Sequence, residues 1–481
     1  MKEKKMKIIE LDINAFSKAG FGIGSFKNGE GHVASVEVPF TMPGDSVSAI
    51  VLSKRKGLCQ SRLDFVINPS PDRVQPVCLH FGTCGGCRWQ HIAYESQLAI
   101  KEQWIRESFK TLISDSTKIY PPVPCLPPWR YRNKMEFTFS SDKAGNRYLG
   151  LILQGSRGKV FNMEECHLTQ EWFIHGVKAV SKWWGESGLD AYQLNKNLGS
   201  LRTLIMREGQ RTGDRLVMLT VSGNPDFALN KKQLNDFQTA LRLAIEPENS
   251  EQKLSIFLRI QQIAKNTPTQ FYELLLYGPD HIREILYVES APEGLTFKIS
   301  PSAFFQPNTR QAELLYSRAL ELAKIPENAV IYDLYCGTGT LGICAAKRAK
   351  KVIGIELSPE AVLDARENVK NNGLNNIEII AGDVGKVLTE LIAENKGRPD
   401  VVMVDPPRAG LDPKAIKNLL EIKAPTLLYI SCNPSTQVTN VQELINGGYR
   451  LDVVQPVDQF PQTIHVENIA VLSFPCTTPS I

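Results

Sequence analysis

Between residues 330 and 474 the chain alternates short apolar runs with longer stretches whose apolar positions recur every three or four residues. Residues 330–334 and 352–356, then Ile377–Ala381, Val401–Val404 and Thr426–Ser431, are compact runs of aliphatic and β-branched residues. Continuous runs of this length fit parallel strands buried on both faces. Helical spacing follows Thr340, spans Pro359–Asn371 and returns after Pro413, so the alternation predicts a doubly wound α/β domain. Upstream the period changes. From Ile8 to Val66 the β-prone runs are short and cut by glycine, at residues 20–24, 29–31 and 43–45. That punctuation predicts a small β-barrel of the OB type. The middle is mixed: helical spacing at 97–112, a proline-rich crossing at 120–128, strands at 200–206 and 215–221, and a helix at 231–244 with Leu234, Phe237, Leu241 and Ala244 on one face. It reads as an α+β scaffold. A further helix at 310–323 leads into the C-terminal domain.

A chain of 481 residues is too long for one ordinary core, and a prior of about 150 residues per domain gives three. The pattern places them at 1–67 (barrel), 68–293 (central α+β) and 294–481 (doubly wound). The hydrophobic share of 42% and charged share of 22% are those of a globular protein. A net charge of +4 permits a polyanionic partner without requiring one. The basic start at residues 1–7 is followed by Glu10 and Asp12 where a signal peptide needs an apolar core. No run approaches the roughly 18 apolar residues that span a bilayer. A soluble, cytoplasmic protein is expected, with no membrane and no obligate protein partner.

Charge and cysteine spacing add chemistry. In the barrel, Lys54-Arg55-Lys56 can meet phosphates and Phe21 and Phe26 can stack on bases, or they are a solvated run and core rings. Trp129-Arg130-Tyr131-Arg132-Asn133-Lys134 interleaves cations and aromatics on an expected strand, with surface charge as the plain alternative. Cys78, Cys84, Cys87 and the more distant Cys166 make a four-thiol set. It suits either an iron-sulfur cluster or a tetrahedral zinc, and spacing does not separate the two. The CxxxCxxC run of radical enzymes is absent. His80, His91 and His167 lie nearby, and with four thiols at hand packing is their expected role.

The first turn of the α/β domain, residues 333–342, satisfies G-x-G-x-x-G through Gly337, Gly339 and Gly342. Glu356, at the next strand end, can accept hydrogen bonds from a ribose. On these residues alone a nicotinamide dehydrogenase is a fair rival. Asp383 and Asp405 close the third and fourth strands, the former placed to meet an adenine, and N-cap or turn duty is the alternative for both. Cys432 ends the fifth strand in Ser431-Cys432-Asn433-Pro434. The proline stops the strand and can leave the sulfur exposed as a nucleophile, although a lone cysteine is usually core. Glu467, before the last strand, supplies a carboxylate on the same edge, and His465 precedes it.

Together Cys78, Cys84, Cys87 and Cys166, Phe305-Gln306, Asp405-Pro406-Pro407-Arg408, Ser431-Cys432-Asn433-Pro434 and His465-Val466-Glu467 resemble the TrmA/RumA-type family of S-adenosylmethionine-dependent RNA 5-methyluridine methyltransferases. The resemblance implies an α/β Rossmann-like methyltransferase domain, an N-terminal OB-like barrel of the TRAM kind and a central RNA-binding α+β domain. It implies a [4Fe-4S] cluster on the four cysteines. It places Gln306, Tyr335, Thr340, Glu356, Asp383 and Asp405 around cofactor or target base, with Thr340 standing where the family often has asparagine. Cys432 would add to C6 of uracil and Glu467 would remove the C5 proton. The four thiols and the barrel resemble the branch acting on 23S ribosomal RNA, with tRNA the near alternative. A non-catalytic RNA-binding iron-sulfur protein is the reading from another class.

Overall fold

The computed structural model describes residues 7–27, 33–55, 57–263, 267–394 and 398–475. The expected glycine turn at 29–31 and Lys56 lie outside the described residues. The chain divides into two compact units. The first holds Met1–Lys101, Ile152–Gly158 and Phe460–Ile464, and the second holds Glu102–Leu151, Lys159–Gln459 and His465–Ile481.

The first unit contains the expected barrel. Strands β1 (Lys7–Phe16), β2 (Gly22–Lys27), β3 (Val33–Val38), β4 (Ser46–Arg55) and β5 (Leu58–Asn68) close in the order β1-β2-β3-β5-β4. Alternation does the work: Ile9, Leu11 and Ile13 of β1 turn inward against Val36, Val38, Val47 and Ala49, while their neighbours face out. Gly24 is required where β1 and β2 meet, since a Cβ there would come within 2.2 Å of the Asp12 carbonyl. Phe26 packs against the barrel core with Lys7 Nζ 4.7 Å from its ring centre. Helix α1 (Tyr94–Phe109) begins in this unit. Three residues before the expected start of the helix lie inside it. Gln97 is wholly buried and is spent on loop carbonyls: its amide donates to Trp89 O (3.1 Å), Ile92 O (2.9 Å) and Gln462 Oε1 (3.0 Å).

In the second unit a short strand, β6 (Lys118–Ile119), precedes the central elements β7 (Lys134–Ser141), β8 (Arg147–Ile152), β9 (Val160–Asn162), α2 (Glu171–Ser187), β10 (Leu201–Glu208), β11 (Arg215–Ser222), α3 (Lys231–Ile245), β12 (Leu254–Gln262) and β13 (Gln270–Tyr277). The strands form a seven-stranded sheet in the order β13-β12-β11-β10-β7-β8-β9. Trp172, Phe173, Val177, Trp184 and Phe237 of α2 and α3 fill the core against it. Helix α3 is shifted from its expected face: Phe237, Leu241 and Ile245 are buried, and Ala244 is exposed. The expected strand at 129–134 is a correction. Only Lys134 belongs to β7, because Arg130 turns through φ 55° and its guanidinium bonds Thr169 O at 2.7 Å. Burial and the Arg207 charge lower Lys134 to about 8. Arg130 also pairs with Glu171 at 3.1 Å, and all three cations of the stretch are only half-buried.

The hairpin β14 (Ile282–Val288) and β15 (Ala291–Ile299) and helix α4 (Thr309–Ala323) lead to the doubly wound domain. Its elements are β16 (Ala329–Leu334), α5 (Thr340–Ala345), β17 (Ala349–Glu356), α6 (Pro359–Asn371), β18 (Ile377–Ala381), α7 (Val384–Ala393), β19 (Val401–Val404), α8 (Pro413–Ile422), β20 (Thr426–Ser431), α9 (Pro434–Asn446), β21 (Arg450–Val457) and β22 (Glu467–Ser473). The sheet order is β18-β17-β16-β19-β20-β22-β21-β6. It reverses between β16 and β19, which opens a crevice at the strand C-terminal ends. Among the described residues no helix is long and apolar enough to cross a membrane.

Candidate active site

Strand register brings the reactive side chains to one edge. Val404 pairs with Tyr429, so Asp405 leaves β19 level with the last residues of β20. Ser431 pairs with Asn468 of the antiparallel β22, so Cys432 and Glu467 stand at the next position of the same ladder. Glu467 opens this strand and does not precede it as a loose turn charge; it is 3% exposed.

The charges of these groups act on one another. Burial pushes the Cys432 thiol up, the Glu467 charge adds to this, and a hydrogen bond from Arg408 opposes it. Burial, then the Asp405 charge, holds Glu467 well above the carboxylate range, with Arg408 again opposing. Asp405 keeps some solvent contact, yet desolvation raises it to about 7. The cluster therefore holds its protons more tightly than free side chains do, and one cation, Arg408, acts on both the thiol and Glu467. Arg408 is the functional residue that the sequence reading left without a role, although it stands in the quoted string Asp405-Pro406-Pro407-Arg408.

The Arg408 loop is tied to the segment after Cys432. Asn433 donates to Arg408 O at 3.0 Å, and Thr436 Oγ1 to the same oxygen at 3.3 Å. Asn440 of α9 accepts from Leu411 N–H and from the Tyr429 hydroxyl, both at 2.9 Å.

At the neighbouring strand ends the turn after β16 carries Tyr335 at φ 62°, a sparsely populated conformation for a bulky residue. Its hydroxyl donates to Asp412 at 3.3 Å. Glu356 spends one oxygen on Gly337 N–H (2.9 Å) and the other on Ser358 N–H (2.8 Å), so it shapes the glycine turn. Asp333, beneath that turn, accepts from Gly342 N–H at 2.8 Å, and burial lifts it to about 7. Asp383 is exposed and N-caps α7 through Lys386 N–H. Thr340 opens α5 and bonds the buried Tyr316 hydroxyl. Gln306 is 5% exposed; its side-chain oxygen accepts from Gln459 at 3.3 Å and its carbonyl from Asn133 at 2.9 Å. His465 is exposed, and Cys336 is buried with its thiol raised well above normal, unsuited to attack.

The metal expectation gains no support from the geometry. Cys78, Cys84 and Cys87 lie in the first unit and Cys166 in the second. Among the described residues no group of three or more His, Cys, Asp or Glu side chains is placed to hold a metal ion. Cys84 Sγ accepts from Gly86 N–H at 3.3 Å, and Cys166 packs against the central core. His91 is held neutral, its pKa lowered to about 3 by burial and by the Arg73 charge.

A profile of the family described as tRNA (uracil-5-)-methyltransferase matches residues 228–473. An RNA methyltransferase of Protochlamydia amoebophila is 62% identical over 92% of this chain and 100% of its own length. One from Clostridium tetani is 37% identical over 98% and 99%. The crystal structure of Pyrococcus abyssi tRNA (uracil-54, C5)-methyltransferase in complex with S-adenosyl-L-homocysteine superposes with a TM-score of 0.73 at 26% identity, covering 96% of this chain and 99% of that one.

Proposed function

The chain belongs to the tRNA (uracil-5-)-methyltransferase family, and from that premise we propose that it methylates C5 of a uridine in RNA through a covalent bond between Cys432 and C6 of the base. Membership sets aside the nicotinamide rival. The observation that carries the mechanism is the meeting of Cys432, Glu467, Asp405 and Arg408 at adjoining strand ends.

C5 of uracil is too weak a nucleophile to be methylated unaided. Cys432, deprotonated with help from Arg408, adds to C6, and the electron pair of the C5–C6 bond moves towards C5 and O4. S-adenosyl-L-methionine, when bound, supplies the electrophilic methyl group that forms the new bond at C5. Glu467 then takes the C5 proton, and the pair left behind expels the Cys432 thiolate as the C5–C6 double bond re-forms. A raised pKa makes Glu467 a stronger base once it is ionised. The cofactor fits the crevice: Glu356 and Asp383 stand at successive strand ends where ribose hydroxyls and an adenine amino group need acceptors. Gly337 and Gly339 permit close backbone approach, and on this reading Tyr335, Thr340, Gln306 and Asp405 would border cofactor or target base. The Pyrococcus relative, solved with the demethylated cofactor product, supports this assignment.

We assign RNA gripping to the barrel (1–67) and central domain (68–293), and chemistry to residues 294–481. The target base must leave any stack to reach the crevice. For the RNA itself we take 23S rRNA first. The tRNA reading is favoured by the Pyrococcus structure. Because that structure covers 96% of this chain, the barrel of β1–β5 is shared and does not choose between the two. The [4Fe-4S] reading of Cys78, Cys84, Cys87 and Cys166 rests on spacing and resemblance alone. No step passes through a cluster. Iron and sulfide analysis of protein purified without oxygen decides it, with four of each per chain expected on that reading.

The mechanism is tested with S-adenosyl-L-methionine and 5-fluorouridine-substituted 23S rRNA and tRNA transcripts. Fluorine cannot leave as a proton does, so a covalent complex is expected on a denaturing gel with the true substrate and is absent in Cys432→Ala. No complex with either RNA removes Cys432 as the nucleophile.

A further inference from the structure

A cavity in the second unit lies away from the catalytic cluster. Its volume is about 590 Å³, within the range of small-molecule sites, and Cys432, Glu467 and Asp405 are not in its wall. Trp129 and Trp172 supply ring surface, and exposed Arg310 stands at the rim. Two side chains in the wall have acceptors in want of donors. Glu208 is 7% exposed; one carboxylate oxygen takes the Trp172 indole N–H at 2.6 Å and the other has no hydrogen-bond partner. Gln210, two residues on, donates to the carbonyls of Arg130 (3.2 Å) and Tyr131 (2.7 Å), which turns its amide oxygen away without a partner. A buried carboxylate left half satisfied is costly, so such groups are retained where something else completes them. Burial raises Glu208 to about 7, as expected for an acceptor that lacks its donor.

We propose that this cavity binds an unpaired guanine nucleotide of the RNA substrate, read by Glu208. Guanine alone among the four bases offers two adjacent donors, N1–H and N2–H, one for the open oxygen of Glu208 and one for the lone pair that the Trp172 indole leaves on the other. Adenine and cytosine present one amino group and uracil one ring N–H. The aromatic wall suits stacking of the base, and Arg310 at the rim suits its phosphate. Asn308, which also lines the cavity, donates to Gln459 O at 3.2 Å, and Gln459 holds Gln306 of the crevice. Occupancy by one base of the loop is thereby linked to the segment that borders the target uridine. The proposal rests on the RNA reading given above but on a different site, and it makes the enzyme a reader of two nucleotides.

The test is calorimetric titration of the full chain with GMP, AMP, CMP and UMP, which needs no methyl transfer and so stands apart from the fluorouridine trap. GMP is expected to bind at least tenfold more tightly than the other three. Glu208→Gln, checked for folding by circular dichroism, is expected to lose at least tenfold for GMP alone. Arg310→Ala should level GMP with guanosine and preserve the base preference. Four nucleotides binding within twofold of one another in the wild type overturn the proposal, as does a GMP preference that survives in folded Glu208→Gln.

Discussion

The sulfur of Cys432 stands in two opposed fields. Burial and the Glu467 carboxylate hold its proton on, while the Arg408 guanidinium favours the thiolate. Alkylation of Cys432, followed by peptide mass spectrometry as pH is raised, reads this balance directly. Because the cation stabilises the ionised form, Arg408→Ala should move the profile to higher pH, and Glu467→Gln, which removes a negative neighbour, should move it lower. Loss of one electrostatic stabiliser should also lower kcat at pH 7 on the order of tenfold to a hundredfold. Residues that announce themselves by type and position, such as Cys432 before a proline, were readable in the chain. Arg408 was not, since an arginine after paired prolines has no fixed direction until the fold turns it towards a thiol. Glu208 gave no signal at all: a carboxylate ending an apolar strand reads as solvated charge, and only the Trp172 indole and the burial above it show otherwise.

At the scale of elements, the loop after β19 and helix α9 act as one piece. Asn440 takes the donors of Leu411 and Tyr429, and a Cβ on Gly410 would come within 2.5 Å of its side-chain oxygen, so the loop is both bonded and closely fitted. Asn440→Ala leaves two buried donors unpaired and should cost about 2–4 kcal/mol in urea unfolding. If the loop serves to aim Arg408, the same variant should slow fluorouridine trapping at saturating RNA more than it weakens RNA binding. Equal losses in both would mean a stability effect alone. The strands of this domain were legible because parallel strands covered on both faces are written as unbroken apolar runs. Helix α2 carried the signal too, since Glu171, His175, Lys178, Lys182 and Glu186 recur at helical spacing between its buried apolar residues, yet it was not read. Strand β13 lies exposed at the sheet edge although Phe271, Tyr272, Leu274 and Leu275 make it apolar, so its pattern does not mark a buried face.

For the whole molecule, chain connectivity ties the first unit to the segment that leads to Glu467. Phe460–Ile464 belongs to the first unit, although the residues on either side, Gln459 and His465, belong to the second. Within the first unit this segment is held by backbone and side chain. Gln462 O accepts from the N–H groups of Arg88 (3.0 Å) and Trp89 (3.1 Å), Gln462 N–H donates to Gln97 Oε1 (3.0 Å), and Lys101 Nζ donates to Phe460 O (3.2 Å). Gln459 bonds Gln306 immediately upstream, and Glu467 follows three residues after Ile464. A first unit that only gripped RNA would, when weakened, raise KM and spare kcat. A unit that also pins the chain between Gln459 and Glu467 must touch kcat. Gln97→Ala removes one side chain remote in sequence from every reacting group and takes the partner from Gln462 N–H and from Ile92 O, while Trp89 O keeps the Ile92 N–H, a cost of about 1–3 kcal/mol. It should therefore lower kcat with saturating RNA, and Gln97→Glu, which sets a carboxylate oxygen against the same carbonyl acceptors, should recover none of the loss. An increase in KM with kcat unchanged would separate the two units functionally and leave the first with recognition alone.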